Sequence, residues 1–268
     1  MSWLIALATG IAAGTHTATW GMYKDSPHEG FTWRRYARSI IIAALAALVV
    51  QALARLDLTT AGGIFVLFGV TYVCERALVE FWKTFLREED QSKYFIPMQL
   101  AVKGKVVQDR GKRLLAGAGV AGAALLIAAG VLWIERSAPP WPEAFVLVAV
   151  GSVGGWFSAF GGAWKDAPIE GFETLKFFRS PIIAAIYAFI LMRFTSSYVL
   201  VPLGALGYTI ATLETYKTFF FPSKPRGKFA GKPVLFPEML RRRNAFVPVY
   251  VAIWIGIAVT LVLGLRAR

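Results

Sequence analysis

Residues 24–44, KDSPHEGFTWRRYARSIIIAA, align without a gap to residues 165–185, KDAPIEGFETLKFFRSPIIAA. The two stretches are identical at 12 of 21 positions, at an offset of 141 residues. A second block agrees, because EFWKTF at 80–85 matches ETYKTF at 214–219 in four of six positions. Two motifs that recur in the same order indicate an internal duplication.

The composition indicates that the duplicated chain is a membrane protein. Of its 268 residues, 56% are hydrophobic and 17% are charged. A soluble domain has roughly 45–50% apolar and about 25% charged residues. The apolar content also excludes an intrinsically disordered chain. Because Cys74 is the one cysteine, the chain has no intramolecular disulfide.

Eight apolar windows are long enough to cross a bilayer, since a transmembrane helix needs about 20 mostly apolar residues. The windows are 3–21, 39–55, 61–81, 114–134, 144–164, 181–197, 199–218 and 246–265. We predict two four-span repeats, residues 1–140 and 141–268. Because four is even, both repeats enter the membrane in the same orientation, which predicts a pseudo-two-fold axis along the membrane normal. The predicted fold is an all-α integral membrane protein with eight transmembrane helices.

The basic residues predict which side of the membrane each connection faces. The connections after windows one, three, five and seven hold 23 of the 29 lysines and arginines, and the opposite side holds five. By the positive-inside rule, these four connections are cytoplasmic and both chain termini are not. We expect a multi-pass protein of the cell (inner) membrane. The net charge of +13 follows this rule, so we expect no binding to nucleic acid.

The first motif retains charged side chains at fixed spacings in both halves. They are Lys24, Asp25, Glu29, Arg35 and Arg38, with Lys165, Asp166, Glu170, Lys176 and Arg179 as counterparts. Ionisable groups at the rim of a helical bundle tend to line a ligand path or to bind lipid phosphate. Arginine holds phosphate oxygens bidentately, and lysine acts as a point charge. We therefore predict that these residues bind a phosphorylated or otherwise anionic ligand on the cytoplasmic side.

A purely structural role for the first motif stays open. Ser26, Pro27 and Glu29 resemble the start of a helix, with Ser26 as the N-cap and Glu29 reaching back in a capping box. The neighbouring lysine and arginines would then be interfacial anchors that extend to the lipid headgroups.

The second motif ends windows three and seven. Glu80 and Lys83, like Glu214 and Lys217, are three residues apart and share one helix face. One interpretation is an intrahelical ion pair at the membrane edge, and the other is a ligand site that faces the bundle interior near the first motif. Glu75 has no acidic counterpart in the second half, which is a hint of a proton-linked group.

The two histidines do not predict a metal site or a proton relay by themselves. His16 has Phe157 as its counterpart in the other half, and His28 has Ile169. We therefore assign no catalytic residue and no metal ligand from the sequence.

These features together predict a transporter, a channel or a lipid-translocating protein for the anionic ligand. Two equivalent half-sites around one path suit permeation better than chemistry, which needs unlike acid and base roles. The expected partners are membrane lipids, above all anionic ones, and a phosphorylated small molecule or lipid. The sequence leaves open whether the protein forms an oligomer.

Two other functions remain as alternatives. The first is a membrane enzyme that acts on a lipid phosphate or a nucleotide-linked lipid at the cytoplasmic face. Asp25 or Asp166, with the glutamates, would then serve as acid and base or would hold Mg²⁺, and the sequence assigns no cofactor beyond this possibility. The second is a structural or assembly subunit of the membrane.

Overall fold

The computed structural model describes residues 1–137, 140–222 and 227–267. Lys224, Arg226 and Arg268, which were counted among the basic residues, lie outside the described residues. Helices make up 76% of the structure, which confirms the predicted all-α class. The helices are α1 (Ser2–Glu29), α2 (Trp33–Ala54), α3 (Ala61–Phe81), α4 (Arg110–Ser137), α5 (Glu143–Glu170), α6 (Thr174–Leu191), α7 (Leu200–Phe219), α8 (Met239–Arg242) and α9 (Val247–Arg266).

Within the described residues, five helical segments are long and apolar enough to cross a membrane. They are α2, α4, α5, α6 and the stretch Met239–Arg266, which contains α9. The other long helices, α1, α3 and α7, have the largest buried shares and form the centre of the bundle. This arrangement is compatible with a membrane-embedded protein, because the most apolar helices lie around a buried centre.

Several helices extend beyond the apolar windows that predicted them. Helix α1 continues from residue 21 to Glu29, and α5 continues from residue 164 to Glu170. Helix α6 begins at Thr174 and ends at Leu191, whereas its window was 181–197. Hydropathy does not detect polar helical turns, so the windows missed the helical ends that carry the first motif.

The α1–α2 and α5–α6 pairs are packed through glycines. A Cβ atom at Gly14 would lie 2.5 Å from the Cα atom of Ile40 in α2. At the offset of 141 residues, a Cβ atom at Gly155 would lie 2.6 Å from the Cα atom of Pro181 in α6. Small residues let helix backbones approach closely, and both pairs use them at matching positions.

Helices α3 and α7 cross at the centre of the molecule. A Cβ atom at Gly207 would overlap the carbonyl oxygen of Gly69, so the two backbones are in direct contact. Beside the crossing, the Tyr208 hydroxyl donates a hydrogen bond to the Phe65 carbonyl at 2.8 Å. The Tyr208 and Phe65 rings are stacked at 4.4 Å. This contact joins a helix from each of the predicted halves.

The first motif ends one helix and begins the next. Helix α1 stops at Gly30, where φ is 72°, and α5 stops at Gly171, where φ is 85°. Glycine adopts this left-handed conformation at little cost. The N-cap of α2 is Thr32, whose side chain accepts a hydrogen bond from the Arg35 N–H. The interpretation of Ser26–Glu29 as a helix start is therefore wrong, because these residues form the last turn of α1.

A π-helical turn, Trp82–Leu86, extends α3, and the connection after it contains a small hairpin. Strands β1 (Ala101–Val102) and β2 (Lys105–Val106) pair antiparallel around Lys103 and Gly104. Both turn residues have positive φ, 51° and 77°, as a type I′ turn requires. The Trp164 indole N–H of α5 donates to the Ala101 carbonyl at 3.1 Å and ties the hairpin to the bundle.

Candidate functional site

One cavity of about 1130 Å³ brings together most of the residues that the motifs identified. Eleven of the fourteen line it: Lys24, Asp25, Glu29, Arg35, Arg38, Glu80, Lys83, Lys165, Asp166, Glu214 and Lys217. They come from both halves and from both motifs, so the fold places sequence-distant copies around one space.

The other three predicted residues, which all belong to the second copy of the first motif, are outside the cavity lining. The Lys176 ammonium pairs with Glu170 at 2.6 Å and lies 3.5 Å from Asp166. The Arg179 guanidinium lies 5.9 Å from the centre of the Tyr216 ring. The second copy therefore contributes fewer side chains to the cavity than the first copy does.

An ion pair links the first motif of one half to the second motif of the other. The Lys24 ammonium is 3.0 Å from Glu214, and the two side chains are 14% and 15% exposed. Glu214 also pairs with Lys217, one helical turn away, at 3.3 Å. In the reciprocal position, Glu80 and Lys165 are close enough to interact electrostatically. The Lys24–Glu214 ion pair therefore joins the two halves directly, whereas the Lys165 ammonium donates a hydrogen bond to the Met98 sulfur at 3.8 Å.

Arg76 lies at the centre of a second charged group. Its guanidinium pairs with Glu80, is 3.9 Å from Glu75 and lies 5.1 Å from the Trp20 ring centre. Lys83 pairs with the same Glu80 at 3.1 Å. The predicted intrahelical pairs of the second motif are therefore present, and their side chains also line the cavity.

The covering segment, residues 227–238, contributes a cation that the sequence did not single out. The Lys228 ammonium is 2.8 Å from Asp25 and 3.3 Å from Glu29. The Tyr94 hydroxyl donates a hydrogen bond to Glu29 at 3.0 Å. Lys228 stands in a generally basic stretch, so no local pattern marks it, whereas Arg76 is marked by its place in an apolar window.

Positive charges outnumber negative charges around the cavity. Its lining contains nine cations, Lys24, Arg35, Arg38, Arg76, Lys83, Arg87, Lys165, Lys217 and Lys228. The carboxylates are Asp25, Glu29, Glu80, Glu89, Asp166 and Glu214, which are six. A cleft lined by an excess of one sign of charge attracts ligands of the opposite sign.

The described residues 1–137, 140–222 and 227–267 include no group of three or more His, Cys, Asp or Glu placed to hold a metal ion.

Lys83 lines the cavity and lies outside the predicted membrane spans, and the pKa of its side chain is strongly shifted. Burial lowers the pKa of its ammonium group to about 8, and the nearby carboxylate of Glu80 opposes that decrease. Arg76 and Lys228 lower the pKa further, and Asp25 raises it. An anion bound beside Lys83 would favour its protonated form.

The two copies of the first motif have unequal surroundings. The covering segment packs on the first copy, where the Pro27 carbonyl accepts hydrogen bonds from Leu235 and Phe236, both at 2.9 Å. The His28 ring is stacked on Phe229 at 4.5 Å. At the second copy, a Cβ atom at Gly171 would have nothing within 4 Å. The first copy is therefore covered, and this part of the second copy is open.

Pro27 also explains a buried arginine. Because proline has no N–H, the Tyr23 carbonyl one turn earlier lacks its helical donor. The Arg243 guanidinium donates to that carbonyl at 3.0 Å and lies 4.2 Å from the Tyr23 ring centre. It also donates to the Pro222 carbonyl at 3.0 Å. Arg243 thus secures the end of α1 and the connection that follows α7.

No family model, curated protein or solved structure matches this chain.

Proposed function

We propose that this chain binds an anionic, phosphorylated ligand in the cavity and moves it through the membrane, as a transporter, a channel or a lipid translocator. The observation that carries the proposal is the convergence of both motifs, from both halves, on one cation-rich cavity. In the proposed arrangement, eight helices span the inner membrane as two parallel four-span repeats. The cavity opens toward the cytoplasm, and both termini lie on the other side.

The cross-half ion pairs give this arrangement a means of responding to a ligand. Lys24 holds Glu214 of the other half, and Glu214 keeps Lys217 as a second partner. A phosphate can therefore take Lys24 from Glu214 without leaving a buried carboxylate unpaired. Charge-assisted bonds to phosphate are among the strongest hydrogen bonds in proteins. Ligand binding would then change the contacts between the halves, as alternating access requires.

The proposal is tested with Lys24→Met combined with Lys165→Met. Each substitution removes a cation from the cavity, and a hydrogen bond to a charged group contributes about 1.5–3 kcal/mol. We expect binding of methyl phosphate to weaken by at least 100-fold, measured by calorimetry in phosphatidylcholine nanodiscs. The matched control combines Lys105→Met with Lys112→Met, two exposed lysines that do not line the cavity. Equal affinities of the two double variants would contradict the proposal.

The unequal copies of the first motif favour the enzyme as a second candidate. Asp25 is paired with Lys228 at 2.8 Å, whereas Asp166 lies 3.5 Å from Lys176. Asp25→Asn and Asp166→Asn therefore separate the candidates in proteoliposomes loaded with phosphate esters. We expect both variants to lose flux equally if the protein is a transporter. Loss in one variant alone, with conversion of the ester in the wild type, would favour an enzyme, and no loss in either would favour a structural subunit.

Ligand binding should depend on pH through Lys83. Its ammonium group is charged below a pKa of about 8 and becomes neutral above it. We expect affinity for dimethyl phosphate, whose own charge is constant here, to be level between pH 6 and about pH 7.5 and to fall above about pH 8. The guanidinium group of Lys83→Arg keeps its charge throughout, so that variant should lose the decrease. If the affinity of Lys83→Arg still decreases above about pH 8, a group other than Lys83 causes the decrease.

A further inference from the structure

We infer that the ligand is a lipid phosphate whose phosphate lies among the cavity cations and whose hydrocarbon chain occupies an apolar slot between α4 and α5. The inference rests on the proposed function, because it assigns a ligand class to the same cavity. The hydrocarbon chain would enter the slot sideways from the bilayer, and the phosphate would follow it to the charged end of the cavity.

The cavity continues from its charged end into an apolar slot between three helices. The slot is lined by Val120, Ala121 and Ala124 of α4, Phe157 and Gly161 of α5, and Leu206 and Ile210 of α7. None of these side chains is charged or polar, and Ser158, between Phe157 and Gly161 on α5, adds one hydroxyl group to the lining. The whole cavity has a volume of about 1130 Å³, whereas pockets for drug-sized ligands usually occupy about 300–1,000 Å³. One space thus offers a basic end and a long apolar end.

The slot exists because α4 contacts the rest of the bundle near its two ends. Close to its start, Gly117 packs on Phe85, and close to its end, Val131 packs with Val146 of α5. Between these contacts, Val120, Ala121 and Ala124 are exposed and line the cavity. On the facing part of α5, a Cβ atom at Gly161, which also lines the cavity, would meet nothing within 4 Å. The middle of α4 therefore stands away from α5.

In the first half, α9 fills the space that corresponds to the slot. Helix α9 packs on α1 and α3, and its Tyr250 ring is stacked on His16 at 4.1 Å. The Trp254 ring lies 5.2 Å from the same histidine. The counterpart of His16 is Phe157, which is 48% exposed and lines the slot. Protein interiors are close-packed. Helix α9 fills this space in the first half, whereas α4 leaves the corresponding space in the second half open. We therefore expect a ligand to fill the open space.

The charges and the position of the slot identify the chemistry of that occupant. Its charged end carries Arg35, Arg38 and Arg87, and arginine matches the oxygens of a phosphate bidentately. Its apolar end lies beside α4, one of the helices apolar enough to face lipid. A molecule that satisfies both ends has a phosphate head and a hydrocarbon tail. A free phosphate would use the charged end alone.

The experiment compares two probes that share the phosphate group. Hexadecyl phosphate and methyl phosphate are titrated into the full chain in phosphatidylcholine nanodiscs, with bound probe counted by native mass spectrometry. The slot is filled by Gly161→Leu combined with Ala124→Phe, both at open positions of helices. We expect this variant to bind hexadecyl phosphate at least tenfold more weakly and methyl phosphate within twofold of the wild type. Gly256→Leu on α9, another glycine with open space around it, is the matched control and should change neither affinity.

Each outcome separates the inference from the proposed function. If the filled slot leaves hexadecyl phosphate binding unchanged while both probes still bind, the lipid inference fails and a site for free phosphate remains. If the wild type binds neither probe, the proposed function fails as well. If Gly256→Leu weakens the binding of hexadecyl phosphate as much as the slot variant does, the hydrocarbon chain does not bind in the slot.

Discussion

Replacing Arg76 with methionine is expected to lower the free energy of unfolding by about 3–5 kcal/mol, the cost of removing one partner from a buried ion pair. Arg76 is the ion-pair partner of Glu75, whose side chain is 0% exposed, at 3.9 Å. Glu80 would keep Lys83 at 3.1 Å after the substitution. The uncompensated charge would therefore be that of Glu75. Thermal unfolding in a mild detergent, followed by tryptophan fluorescence, measures the loss.

A second substitution tests this explanation of the Arg76 effect. Adding Glu75→Gln to Arg76→Met removes the unpaired carboxylate and is expected to restore more than half of the lost stability. Arg34→Met is the matched control, because Arg34 is exposed on the first turn of α2 and is outside the cavity. Such surface changes usually stay within about 0.5 kcal/mol. A loss below 1 kcal/mol for Arg76→Met would mean that Glu75 is uncharged in the folded protein.

Replacing Gly207 with alanine is expected to destabilise the protein by about 3 kcal/mol, the upper part of the usual range for overpacking. The new methyl group would overlap the Gly69 carbonyl oxygen at the crossing of α3 and α7. A backbone atom cannot turn aside as a side chain does, so the two helices must separate. Cys74 lies partly buried in α3, and its reaction with a thiol dye during heating reports the unfolding.

The control for the Gly207 substitution is Gly256→Ala. Gly256 has open space around it on α9, so the added methyl group meets no neighbour. Alanine also favours a helix over glycine by about 1 kcal/mol, and this control should therefore be neutral or stabilising. Equal unfolding midpoints for the two variants would contradict a direct backbone contact between α3 and α7.

Much of the helical architecture follows from local properties of the sequence. The apolar windows place the eight long helices of the described residues, because hydropathy is a property of each segment by itself. The windows fail at helix ends such as Asp25–Glu29, where polar turns continue the helix beyond the apolar stretch. The helix start predicted at Ser26 fails for a related reason, since the same residues can cap a helix or end one.

The candidate site divides in the same way between local and distant causes. The similarity between residues 24–44 and 165–185, with the two shorter motifs, identified most of the cavity's charged residues, because charged side chains that recur in both stretches stand out from the apolar background. It did not predict that Lys24 pairs with Glu214 rather than with a charge of its own half. It also missed Lys228, whose contact with Asp25 joins residues more than 200 positions apart. Pairing over such distances depends on how helices pack, which no local pattern encodes.

The sequence by itself determined an all-helical, apolar chain with two copies of two charged motifs, because composition, periodicity and repetition are properties of the residues alone. Only the tertiary structure decided that the copies meet at one cavity, that their ion pairs cross between the halves, and that α4 stands away from α5 while α9 packs against α1. These features arise from the close contact of backbones at glycines such as Gly207 and from the space left where no helix fills the bundle. Packing is a property of pairs of helices, and the pairs exist only in the folded chain.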